Sequence, residues 1–227
     1  GTHVFDFLQS TIEYRQLGWN IATISALSTI AFTCWQMTAL VDQYQTIKTG
    51  ESVSVSWNTF FGADFMAFII YGIYAASIAM TFNALLGFGH LLVLWGLLQV
   101  KTLTMREWLL LPSIVILPVL MYYSRTHMID LWFVELTERQ LLFLVFSLGT
   151  LIALGLQPWE MYRNKSRGDF SFNVLISYTA STGFWIGFAY FATDDLVLRF
   201  LVTVGGIEMI ICCYLWYKYT PKAMVTT

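Results

Sequence analysis

Seven runs of apolar residues, each near the length of a bilayer-spanning helix, alternate along the chain with shorter polar stretches. A hydrocarbon core of about 30 Å takes about 20 residues of helix. The runs fall at roughly 17–41, 57–75, 78–100, 108–123, 140–157, 172–192 and 196–217. The fourth, WLLLPSIVILPVLMYY, is short and carries Pro112 and Pro118, each of which removes a backbone donor, so it reads as a linker helix. Polar loops of about 13 residues follow the first and fifth runs, whereas the second and third, and the sixth and seventh, are tightly connected. The pattern predicts an all-α membrane protein with seven transmembrane helices in a 3+1+3 layout. Residues 1–103 hold the N-terminal segment and first three helices, 104–138 the linker helix and outer loop, and 139–227 the last three helices and tail.

The polar, basic stretch Leu156 to Ser171 between two long apolar runs has a weaker counterpart in Trp35 to Ser56. Each has a helix-terminal Gln (Gln36, Gln157), then basic residues, a Gly, and a Ser that restarts an apolar run. At an offset of 115, Ser56 meets Ser171, Asn58 meets Asn173 and Gly72 meets Gly187; after a four-residue insertion near Asp194 the offset is 119 and Gly87 meets Gly206. An odd linker helix makes the second copy run parallel to the first. Parallel repeats in a transporter place the substrate between them near the midplane.

Composition narrows the class. At 57% hydrophobic and 11% charged residues, the chain has too few charges to cover a soluble surface. A net charge of −2 gives no reason to expect nucleic acid. Cys34, Cys212 and Cys213 lie inside apolar runs and are expected to pack as small hydrophobes. With no Gly-rich phosphate loop, no paired-Cys motif and no HExxH, neither an enzyme nor a cofactor or metal is expected. The opening GTHVFDFLQSTIEYRQ lacks a basic region followed by an apolar one, so no signal peptide is expected. Lys48, Lys101, Arg106, Arg163, Lys165, Arg167, Lys218 and Lys222 fall on one side and Arg15, Arg125, Arg139 and Arg199 on the other. That asymmetry predicts an N-terminus outside or lumenal and a C-terminus in the cytoplasm. The expected partners are the bilayer, a small polar solute and protons, with a second copy of the chain admissible.

Ionisable groups deep in a membrane are functional candidates. Asp64, His90 and Glu208 stand mid-helix in the second, third and seventh segments, and Asp64 with His90 is the expected titrating pair for proton coupling. The structural alternative is a buried Asp–His pair fixing two helices. Asn83, Gly87 and His90 share one face of the third segment, Gly87 leaving room beside the Asn83 amide. Tyr178, Thr182 and Trp185 share a face of the sixth, an indole and hydroxyls that suit a sugar ring or another small polar solute.

These features resemble the PQ-loop superfamily, which includes the SWEET sugar transporters and the lysosomal cystine transporter. Gln157, Lys165-Ser166, Gly168, Ser171 and Trp185 occur in that family's order and spacing. Gln36, Lys48, Gly50, Ser56, Tyr71-Gly72 and Asn83 fit with about one extra helical turn after Gln36. The resemblance spans nearly the whole chain and implies a central site lined by Asn83, Gly87, Trp185 and Thr203, gated by Gln36 and Gln157, with the third helix of each repeat between the other two. The departures are specific. Trp35 and Leu156 replace the proline before the motif Gln, and the first, second and sixth segments lack the SWEET hinge prolines. Val202 or Thr203 stands where the second clamp Asn would be. The expected function is alternating-access transport, facilitative or proton-coupled, of a sugar-like or amino-acid-like solute. The alternative is a receptor or scaffold on the same fold that binds without transporting. A retinal photoreceptor is excluded, because residues 196–217 contain no Lys for a Schiff base.

Overall fold

A computed structural model describes residues 19–75, 78–127, 136–191, 194 and 196–221, and these form helices without strands. The helices are α1 (Trp19–Thr46), α2 (Val55–Ala75), α3 (Ile78–Ala84), α4 (Leu86–Val100), α5 (Met105–Leu110), α6 (Ser113–His127), α7 (Leu136–Asn164), α8 (Phe172–Phe191) and α9 (Leu196–Lys218). Leu85 is the single residue between α3 and α4, and Leu111-Pro112 separates α5 from α6. Four stretches are long and apolar enough to cross a membrane: Met80–Val100, Met105–Tyr123, Phe172–Phe191 and Leu196–Lys218. Their outward apolar side chains, such as Val115, Phe191 and Ile210, are exposed, as expected of helices solvated by lipid rather than by water.

The other long helices owe their lower hydropathy to interior polar residues. On α1, Thr29, Thr33, Gln36 and Gln43 are buried, on α2 Asn58, Thr59 and Asp64, and on α7 Gln157. Helices α1 and α7 also run past the apolar stretches, to Thr46 and Asn164, because polar residues with good helix propensity continue the turn beyond the lipid. The fifth segment therefore does not stop at Gln157, and the two polar loops shrink to 47–54 and 165–171. The expected tight turn at 76–77, the outer loop over 128–135, and Arg15 and Lys222 lie outside the described residues.

Packing follows a reciprocal scheme. Helix α4 contacts both α1 and α2, and α9 contacts both α7 and α8; between the two groups, α1 packs on α8 and α2 on α7. Helix α6 lies along the outside of α2. Small residues permit the closest crossing. A Cβ on Gly87 of α4 would come 2.8 Å from Met66 and 2.9 Å from the Phe65 Cβ, and one on Gly62 of α2 would come 2.9 Å from Leu91.

The loops cross-pair in the same reciprocal way. Gln43 donates to the Asp169 carbonyl (2.8 Å) and accepts from the Ser171 amide (2.7 Å). Gln157 donates to the Ser52 carbonyl (2.6 Å) and accepts from the Ser54 amide (3.0 Å). The Asp169 carboxylate receives the amides of Lys48, Thr49 and Gly50 at 2.9, 3.0 and 2.9 Å, a concave nest of N–H groups filled by an anionic side chain. Ser54 and Ser171 cap α2 and α8, accepting from Trp57 and Asn173 amides. In hydrogen bonding, then, Gln43 rather than Gln36 is the counterpart of Gln157, and Ser54 rather than Ser56 that of Ser171. With Gln43 in that place, five residues separate Gln43 from Lys48 against eight from Gln157 to Lys165, so the extra helical turn becomes a shortfall of three residues.

Gly168 sits at φ +50 with its Cα against the Glu51 carbonyl, so a Cβ there meets backbone as well as an unfavourable dihedral. Gly183 has open space around its Cα. Gly168→Ala is therefore expected to lower Tm by roughly 5 °C or more, at about 2–4 °C per kcal/mol for a chain of this size, while Gly183→Ala leaves Tm unchanged or slightly raised. Thermal unfolding of the two variants side by side checks this; equal Tm values would contradict the loop geometry.

Candidate functional site

A cavity of about 200 Å³ lies at the centre, lined from α1, α2, α3, α4, α7, α8 and α9. Phe61, Phe65 and Phe68 of α2 face Tyr178, Thr182 and Trp185 of α8 across it, with Asn83 of α3, Gln36 of α1 and Thr150 of α7 supplying further polar groups. The i, i+4, i+7 spacing of Tyr178, Thr182 and Trp185 places all three on this wall, as their helical face requires.

Behind the wall lies a buried polar chain. The His90 ring is wholly buried and boxed by rings, stacked on Phe61 at 5.1 Å and edge-on to Trp57 at 5.3 Å. Its Nδ1 is 3.0 Å from the Asn58 Oδ1, and its Nε2 meets the Tyr178 hydroxyl. The directions are determined. Asn58 donates its Nδ2 to the Ser54 carbonyl (2.9 Å), so its Oδ1 faces the histidine and can only accept. His90 therefore carries its proton on Nδ1 and accepts from Tyr178 at Nε2. The chain runs from the cavity through Tyr178, His90, Asn58 and Ser54 to Gln157 and the locked loops.

Three sequence expectations are corrected here. Asp64 and His90 do not pair: Asp64, 2% exposed, accepts from the Thr150 hydroxyl across the helix boundary at 2.8 Å, because the stacked phenylalanines occupy the space around the imidazole. Gly87 does not open room beside Asn83, since its missing side chain is filled by α2. Thr203 lies on the outer face of α9, bonded to the Tyr190 hydroxyl and the Arg199 carbonyl at 2.7 Å each, and Val202 and Gly205 reach the cavity instead. One residue along a helix is a rotation of about 100°, enough to exchange the faces.

The remaining candidates fall in different places. Glu208 stands beside Gly155 of α7, where a Cβ would come 2.8 Å from its Oε2, and its buried Oε1 has no hydrogen-bond partner. Gln36 is a cavity residue whose Oε1 is also without a partner, whereas Gln157 holds the loops. Gln43, Asn58, Thr150 and Asp169 were not singled out as site residues by sequence. Gln43 had a signal, since it lies seven residues, two turns, after Gln36 on one helix face; Thr150 had none.

Comparison of the chain with protein-family models, with curated proteins and with solved structures gave no match.

Asn58→Ala would strand the buried His90 Nδ1–H, at about 1–3 kcal/mol, and remove the packing of a fully buried side chain, while the Ser54 carbonyl keeps the backbone amide of residue 58 (3.3 Å); Tyr178→Phe strands the His90 Nε2 with little loss of volume. Urea or thermal unfolding is expected to rank Asn58→Ala as the less stable variant. The reverse order would contradict the placement of Asn58 as the buried partner of the His90 Nδ1–H.

Proposed function

We propose that the chain is a transporter of a small polar solute, with seven spans arranged as two parallel three-helix repeats around the α5–α6 linker, working by alternating access. The observation that carries this reading is a central cavity lined from both helix groups, whose wall is joined through Tyr178, His90, Asn58 and Ser54 to two mutually hydrogen-bonded loops at one end of the bundle. The reciprocal packing of α1 on α8 and α2 on α7 supports a pseudo-two-fold relation between repeats. Lys48, Arg163, Lys165 and Arg167 flank the locked loops, and Lys101 reaches them through the Val53 carbonyl at 3.0 Å. The positive-inside rule then puts that end in the cytoplasm, and the solute would enter from the opposite side.

Opening requires the loop lock to part. Helices α1, α2, α8 and α9 contain no proline, so the motion falls to the break at Leu85 and to rigid-body tilting rather than to hinges in those helices. The same stiffness favours the second reading, a receptor that binds solute and stays closed. In a proton-coupled cycle Asp64 with Thr150 is the proton site, and His90, satisfied on both ring nitrogens as a neutral imidazole, serves as a structural bridge.

Proteoliposomes assayed with a panel of labelled sugars and amino compounds, with and without an inward proton gradient, separate these readings. Saturable uptake that the gradient enhances is expected, with Asp64→Asn losing the gradient response and keeping exchange. Binding of a solute by folded protein without uptake would assign the receptor instead.

A further inference from the structure

We propose that the cavity selects a small ring-bearing organic cation, such as a primary ammonium, over a neutral or anionic solute of the same shape. The inference rests on the reading of the cavity as the solute site and adds the sign of the solute's charge.

Proton direction at the cavity wall sets the preference. Each wall hydroxyl has one proton to give. Tyr178 gives its proton to His90 Nε2, Thr182 to the Tyr178 carbonyl (2.8 Å) and Thr150 to Asp64 Oδ2 (2.8 Å). All three therefore present lone pairs, not protons, to an occupant. Gln36, 2% exposed at the same wall, adds an Oε1 acceptor with no partner. An ammonium satisfies these acceptors with N–H bonds, whereas a carboxylate would set lone pairs against lone pairs. Asn83 and Ser181 can each donate or accept and do not discriminate, and the Gln36 amide also carries N–H donors at Nε2.

Charge and aromatic surface agree with that direction. Among the described lining residues there is no Lys or Arg, and the Asp64 carboxylate stands one hydroxyl behind the wall at Thr150. Phe61, Phe65, Phe68 and Trp185 also line the cavity, and aromatic rings attract a cation, most strongly where water is excluded.

The test uses three ligands with one ring and nearly one size: benzylamine, benzyl alcohol and benzoate. Binding to the purified full-length chain at neutral pH is measured by ligand-observed NMR. Benzylamine is expected to bind at least about tenfold tighter than benzyl alcohol, with benzoate weakest. Trp185→Leu should weaken all three, and Asp64→Asn should reduce the amine's advantage over benzyl alcohol. Equal affinities, a preference for benzoate, amine binding indifferent to Trp185→Leu, or no binding of any ligand overturns the proposal. The order among the three ligands needs no variant, so a misfolded Asp64→Asn does not rescue it. A neutral or anionic preference that is still abolished by Trp185→Leu would overturn the charge preference alone and leave the cavity as the solute site.

Discussion

Two glutamine side chains hold the halves of this protein together at one end, and much of the interior architecture depends on them. A loop that meets another loop inside a helix bundle must find partners for its backbone N–H and C=O groups, because an unsatisfied buried group costs about 1–3 kcal/mol. Gln43 and Gln157 each offer one acceptor and one donor pair to the opposite loop, and each is at most 2% exposed. Asp169 adds three amide contacts, and the Ser52 hydroxyl donates to the Ser166 carbonyl at 2.6 Å. Ser52 itself is at φ 60, a left-handed conformation that only a surrounding network of this kind maintains.

From that lock, contact runs inward. Ser54 is both a partner of Gln157 and, through its carbonyl, of Asn58, which orients His90, which in turn accepts from Tyr178 at the cavity wall. The chain crosses between the two groups twice, at Tyr178–His90 and at Ser54–Gln157, so a displacement of α8 at the cavity is transmitted to α4, α2 and α7. Wherever a ligand moves Tyr178, the loops are the far end of the same chain.

Much of this was legible in the sequence, and the losses have physical causes. Apolar run lengths located the helices, but α1 and α7 overran their apolar stretches because hydropathy measures lipid contact and not helix propensity. That Tyr178, Thr182 and Trp185 share one helix face followed from periodicity, whereas the choice of Trp185 for a site rested on the family resemblance. Thr203 failed because the neighbouring Val202 was equally compatible with the pattern and only packing settles a helix's rotation. The Asp64–His90 pairing failed because charge and depth say nothing about which ring nitrogen meets which partner; Phe61 and Asn58 had already taken the imidazole. Gln36 was chosen over Gln43 by local resemblance, whereas the distinction lies in contacts more than 120 residues away in sequence.

The central claim, that the two loops lock each other at one end of the helix bundle, is tested most directly by amide hydrogen exchange on the unmodified chain in lipid nanodiscs. The amides of Lys48, Thr49, Gly50, Ser54 and Ser171 are donated across the interface and should exchange at least about a hundredfold more slowly than in an unstructured peptide. Exchange of these five amides at the rate of an open surface loop would contradict the lock.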